Sequence, residues 1–128
     1  MAVKSIVITA GEITVEAELN DSGISGLIWD ALPLEATANT WGEEIYFSIP
    51  VKAGMENPVE VVEKGDIAYW GQGAAFCIFF GETPVSSGGR IIPASAVEII
   101  GLIRSGLRQL SEVRAGDRIR VERKGACK

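Results

Sequence analysis

GDIAYWGQGAAFCIFFG, residues 65–81, decides the fold. Two apolar runs, IAYW (67–70) and AAFCIFF (74–80), flank a turn made of Gly71, Gln72 and Gly73. Short apolar runs bounded by glycine and rich in aromatic and β-branched residues read as buried strands, because they are too brief for a packed helix. The stretch is aromatic enough to line a binding groove and apolar enough to be the wall of a barrel. Its reading is mostly core, with one edge that is a candidate site.

The flanking sequence repeats this strand-and-turn grammar. Upstream, residues 4–9 form a strand, Ala10-Gly11 a turn, and EITVEAEL (12–19) alternates strictly between Ile13, Val15, Ala17, Leu19 and polar neighbours. That alternation predicts a half-buried strand paired with its predecessor in a hairpin. Asn20-Asp21-Ser22 supplies N-cap chemistry. Behind it Ile24, Leu27, Ile28, Ala31 and Leu32 form a helical stripe that Pro33 ends. Residues 34–40 are expected to be extended. EEIYFSIP (43–50) places Ile45, Phe47 and Ile49 on one face and Glu44, Tyr46 and Ser48 on the other. Residues 59–62 read as a short extended piece. Downstream, GETPVSSGGRIIP (81–93) is a long Gly/Ser/Pro-rich connection, 96–103 a strand, 105–115 a short helical or irregular turn, and 117–124 the last strand. About eight short strands with one or two short helices predict a mainly β fold, an antiparallel barrel or sandwich.

The bulk numbers narrow the function. The 128 residues suit a single domain, expected to fray at its last residues, with 47% hydrophobic content supplying a core. The net charge of −5 argues against nucleic acid, which needs a basic surface. All seven arginines lie at or after Arg90, so an acidic body is followed by a basic end. That asymmetry reads as a solvated final strand or as grounds for weak self-association. The chain has two cysteines, Cys77 inside an apolar run and Cys127 next to the end, with no disulfide or metal spacing. With no signal-peptide pattern and no apolar run of spanning length, the reading is a cytoplasmic protein with no membrane partner and no cofactor or metal. Histidine is absent, which excludes His-based nucleophile pairs and zinc motifs and leaves carboxylates, Lys, Tyr or Cys for any acid–base chemistry.

GDIAYWGQGAAFCIFFG resembles the middle of a cyclophilin, and residues 97–110 (VEIIGLIRSGLRQL) resemble that family's next strand, glycine turn and short helix. TWGEEIYFSIP resembles an earlier landmark strand more faintly. Taken in order, the WGEEIYF, GDIAYW and FFGETP elements are most similar to a group of small prokaryotic cyclophilin-like proteins of unassigned function, over roughly residues 1–123. The resemblance implies a closed or nearly closed antiparallel β-barrel of about eight strands, cyclophilin-like, with one or two short helices. In cyclophilins an arginine from the strand matching residues 40–49 polarises the prolyl amide; here that stretch has none, and no arginine precedes Arg90. The family's active-site His falls near Val97 and its binding Gln near Ser48, leaving only Phe80 as a counterpart of the hydrophobic floor. The resemblance therefore implies the fold without ordinary prolyl isomerase activity.

The expected site is an exterior groove for a small molecule or an extended peptide. Phe80 floors it, Trp41, Tyr46 and Trp70 supply aromatic surface, and Glu44, Ser48 and Arg90 supply polarity. Glu43 and Glu44, adjacent on a strand, face opposite sides and cannot work as a pair. The alternatives are a residual isomerase using Arg90 from the GGR loop, acid–base chemistry at Glu44, and a structural interaction module with a flat apolar patch.

Overall fold

A computed structural model of the chain describes residues 4–124. The described residues form nine strands, one α-helix and two 3₁₀ turns. In chain order these are β1 (Lys4–Ala10), β2 (Ile13–Leu19), α1 (Gly23–Ala31), β3 (Leu34–Thr37), β4 (Asn39–Trp41), β5 (Glu44–Ser48), β6 (Asp66–Trp70), β7 (Ala75–Phe79), β8 (Glu98–Ser105) and β9 (Arg118–Arg123). The 3₁₀ turns are Gly71–Gly73 and Leu107–Glu112. All strands join one sheet, in the order β3-β9-β1-β2-β8-β6-β7-β5-β4, and every pairing is antiparallel. The two edge strands are consecutive in the chain, and β3 lies against β5, so the sheet curls into a nearly closed barrel.

The structure adds detail to two segments expected to be extended. Residues 34–40 form two strands, because Ala38 leaves the ladder. Its N–H donates to the Asp117 carbonyl at 2.8 Å and its carbonyl accepts from Gly116 N–H at 2.9 Å. That break sends β3 to β9 and β4 to β5, which is what brings the barrel round. Residues 59–62 are not a strand but two isolated bridges, Val59 to Val97 and Val62 to Ile91.

Alternation along the strands fills the interior. Ile6, Ile8, Val15, Ala17, Phe47, Ile67, Tyr69, Phe76, Ile78, Ile100, Ile119 and Val121 belong to one buried cluster. Phe47 and Phe76 sit opposite each other and stack with centroids 5.0 Å apart. The buried Tyr69 hydroxyl donates to Val51 O at 2.7 Å and accepts from Ala53 N–H at 3.2 Å, tying the segment after β5 to the core.

Ser22 caps α1 by accepting from Ser25 N–H, and Leu32 is extended before Pro33. The helix buries Ile24, Ile28 and Leu32 as the stripe predicts, but Leu27 is half exposed while Ser25 is fully buried. The reason is a polar latch: Ser25 Oγ lies 2.8 Å from Ile100 O on β8 and 2.7 Å from Asn20 Oδ1, turning that face of the helix inward. Arg123 of β9 donates to Trp29 O from Nη2 (2.8 Å) and Nε (3.2 Å), placing a cation where the helix dipole is negative. Its guanidinium also lies 5.0 Å from the Trp29 ring centroid.

The charge asymmetry has an intramolecular outlet. The basic β9 inserts between β3 and β1. Glu35 on β3 pairs with both Arg118 and Arg120, whose guanidinium hydrogen bonds hold its carboxyl below the usual range. Lys124 pairs with Glu16 and Arg104 with Glu18. Part of that complementarity is used within one chain. Cys127 lies outside the described residues, and among them no helix is long and apolar enough to cross a membrane.

Gly101 is where β8 passes closest to β2. A Cβ there would sit 2.2 Å from Glu18 O, which only backbone movement could relieve. Gly101→Ala should therefore cost about 1–3 kcal/mol as an overpacked site, read from the urea midpoint. Leu102→Ala, on the exposed neighbour, should change stability by less than about 1 kcal/mol.

Candidate functional site

The site is built on the outer face of β5, β7 and β6. Because β5 alternates, Glu44 and Tyr46 point out while Ile45 and Phe47 point in. Directly opposed residues in an antiparallel ladder share a face. Register therefore lays down three outer rows: Trp41–Glu44–Phe79, Tyr46–Cys77–Ala68 and Ser48–Ala75–Trp70. Most of this surface is apolar. Ala68, Ala75, Cys77 and Phe79 are buried in a second cluster with Val62, Ile91 and Val97, separate from the barrel interior. Every residue of β7 is buried, so the strand is covered on both sides.

The cover comes from the Gly/Ser/Pro-rich connection, which is tied down rather than wandering. Ser86 Oγ accepts from Thr83 N–H at 2.9 Å and Ile92 N–H at 3.0 Å, and Thr83 Oγ1 donates to Ile92 O. Ser87 bridges Arg90 across Gly88-Gly89, whose φ of 63° and 76° are left-handed and suit glycine. Val62 N–H donates to Ile91 O, and Val59 and Val97 exchange both backbone bonds, at 2.7 and 3.0 Å. Between these ties the cover stands off the sheet.

The gap is a pocket of about 330 Å³. Its wall is Trp41, Glu44, Tyr46, Trp70 and Cys77, and its cover is Pro93, Ala94, Ser95 and Val97. Trp70 Nε1 donates to Ser95 Oγ at 2.6 Å, closing one side. Glu44 is only 7% exposed. No Lys or Arg lines the pocket among the described residues. Burial pushes the Glu44 carboxyl up to about 7, against a smaller opposing effect from the neighbouring Cys77 thiol. Cys77 is itself pushed well above the ordinary thiol range, first by burial and then by Glu44, so it stays protonated and is no nucleophile at neutral pH.

The structure brings together four of the expected residues: Trp41, Glu44, Tyr46 and Trp70. Three others fall elsewhere. Phe80, expected as the floor, continues the alternation of β7 inward and packs against the barrel core; Phe79 is the outward member of the pair. Ser48 is exposed at the end of β5, on the correct face but outside the lining. Arg90 lines a separate open depression beside Glu43, Glu63, Lys64 and Glu82. Sequence reasoning missed Cys77 as wall and the whole cover. The signal was present in AAFCIFF: an unbroken apolar strand must be buried on both faces, so a segment with few charges had to lie over it.

Glu44 gives a pH prediction with a definite sign. Its folded-state value lies above the ordinary 4.5, so the folded protein holds the proton more tightly than the unfolded chain. Its contribution to stability is then lost as pH rises from about 4.5 to about 7. Glu44→Gln should flatten that part of the profile and be more stable than the wild type at pH ~8, by about 1–2 kcal/mol once screening by pocket solvent is allowed for. Urea unfolding of both proteins across that range measures the difference, in which the other carboxylates cancel. A wild-type protein whose stability rises over the window relative to the variant would contradict the assignment.

The comparisons with known proteins agree with this architecture. A family model described as Cyclophilin-like matches residues 4–122. A hypothetical protein from Archaeoglobus fulgidus, solved in solution, is 42% identical, with 94% of this chain and 95% of that one covered and a TM-score of 0.81. No curated protein matches the chain. A nine-stranded barrel of this order, matched by the family model over nearly its whole length, belongs to the cyclophilin-like family.

Proposed function

We propose that this cyclophilin-like domain binds a small molecule in the exterior pocket beneath residues 93–97 and lacks ordinary prolyl isomerase activity. The observation that carries the reading is a single buried carboxylate, Glu44, among three aromatic side chains in a concavity outside the barrel. Concave, mostly apolar pockets with one or two placed polar groups are the usual form of small-ligand sites. A sheet face covered for stability alone would be expected to pack fully, and a desolvated carboxyl lowers stability unless something else uses it.

Against isomerisation stands the absence of an electrophile. Polarising a prolyl amide needs a fixed donor or cation at the carbonyl oxygen or the nitrogen. The pocket has no cationic side chain among the described residues, and Arg90 belongs to the other depression. A flat interaction patch is disfavoured by the concavity and its cover. General acid–base work at Glu44 is favoured by one observation, a carboxyl near neutral. It would require substrate binding in the same place.

An amide NMR screen with fragment-sized ligands tests the proposal. Hits should shift residues 44–46, 70, 77 and 93–97, and Tyr46→Ala should weaken them about tenfold, the loss of one aromatic face. Arg90→Ala should leave them unchanged. Exchange NMR on an Ala-Pro peptide should show no acceleration of cis/trans interconversion by either protein. Hits confined to residues 61–64 and 89–91, or acceleration abolished by Arg90→Ala, would overturn the reading.

A further inference from the structure

We infer that the ligand of the exterior pocket is a small organic cation, an alkylated ammonium group seated against Trp41, Tyr46 and Trp70 with its charge facing Glu44. This rests on the pocket reading above and names the chemistry that the pocket selects.

Four observations lead to it. First, the one ionisable carboxylate in the lining has no basic partner there among the described residues, yet its residue is more than nine-tenths buried. A buried acid with no ion-pair partner is an acceptor awaiting a positive charge. Second, three of the five wall residues are aromatic, and the faces of Trp and Tyr rings attract cations, more strongly when water is excluded. Third, the strongest neutral donor, Trp70 Nε1, is already committed to Ser95 Oγ. With no cationic residue in the lining, an anionic ligand would meet Glu44 with nothing to offset the repulsion. Fourth, the site does not suit a metal ion. Calcium and magnesium need several oxygen ligands, and no group of three potential metal-ligating side chains occurs among the described residues. One carboxylate with aromatic walls instead matches a charge spread over methyl or methylene groups.

The titration of Glu44 fits. Near neutral pH an empty pocket holds the acid partly protonated, and an arriving cation would favour the ionised form. The facing groups are Trp41, Tyr46, Trp70 and Cys77, and no Lys, Arg or second carboxylate lines the pocket among the described residues. The pocket is at the small end of ligand sites, which suits a compact head group rather than an extended chain.

The test uses the full chain and a matched pair of probes: choline and its uncharged isostere 3,3-dimethylbutan-1-ol, each titrated at pH 8 by amide NMR. Choline should bind at least about tenfold more tightly than the isostere, with shifts at residues 44–46, 70 and 93–97. Glu44→Gln should remove that preference while leaving weak binding of both, and Trp41→Ala should weaken choline more than the isostere. A peptide carrying one trimethyllysine separates the sources: equal or tighter binding than choline identifies a protein side chain, weaker binding a free metabolite, and either supports the class. Equal binding of choline and isostere, indifferent to Glu44→Gln, would overturn the cation inference and leave the pocket as a neutral-ligand site. No shift with choline or the peptide would also overturn it, and the fragment screen then decides separately whether the pocket binds anything.

Discussion

Ala75, Cys77 and Phe79 face away from the barrel interior and are nonetheless as buried as Phe76 and Ile78, which face into it. The rest of the structure follows from that double burial. A barrel strand normally needs one apolar face, because water solvates the other. β7 has two, so the chain must supply a second layer. It spends residues 81–97 on this, anchored by Thr83, Ser86, the Val62–Ile91 bridge and the Val59–Val97 bridge. The anchors fix where the cover touches the sheet. The pocket lies between that cover and Trp41, Tyr46 and Trp70 on the sheet. Barrel and site are consequences of the same strand.

The second constraint is electrostatic and opposes the first. Placing Glu44 on an apolar, covered face removes water from a carboxylate without giving it a counter-ion. Elsewhere the chain handles its acids differently. Glu35 sits between two arginines, and Glu98, also buried, accepts from the Glu56 and Asn57 backbone N–H groups. Both are explained by what they hold: Glu35 fastens β3 to β9, and Glu98 fastens the segment before β6 to β8. Glu44 fastens nothing comparable. A costly group with no structural work is the kind of local inconsistency that marks a functional position.

Much of the fold was legible in the sequence because alternation and glycine turns are local signals. The inward set Ile45, Phe47 and Ile49, the Ser22 cap and the stop at Pro33 could be read from a few residues each. The breaks came where a distant partner decides. Ala38 leaves its strand for the turn at Gly116 and Asp117, nearly eighty positions away, and Ser25 displaces Leu27 from the buried face by reaching Ile100. The site shows the same division. Trp41, Glu44, Tyr46 and Trp70 share a face by alternation and pairing, so they could be gathered early. Pro93, Ala94, Ser95 and Val97 could not, since nothing local says where a loop will lie. Phe80 was misplaced for a simpler reason: of two adjacent phenylalanines only one can face out, and the register that chooses Phe79 is set by β5.

Membership in the cyclophilin-like family constrains the scaffold more tightly than the chemistry. An isomerase needs a fixed donor or cation at a prolyl amide, and four of this chain's arginines are engaged elsewhere. Arg118 and Arg120 neutralise Glu35, Arg104 meets Glu18, and Arg123 closes the end of α1 at Trp29. These tie β9 to β3, β8 to β2, and α1 to β9. These cations hold the wall together, and the pocket lining has one acid and no Lys or Arg among the described residues. On the cation reading proposed above, the positive charge at the site comes from the ligand. The barrel and its anchored cover then present one acid and three aromatic rings to the same pocket.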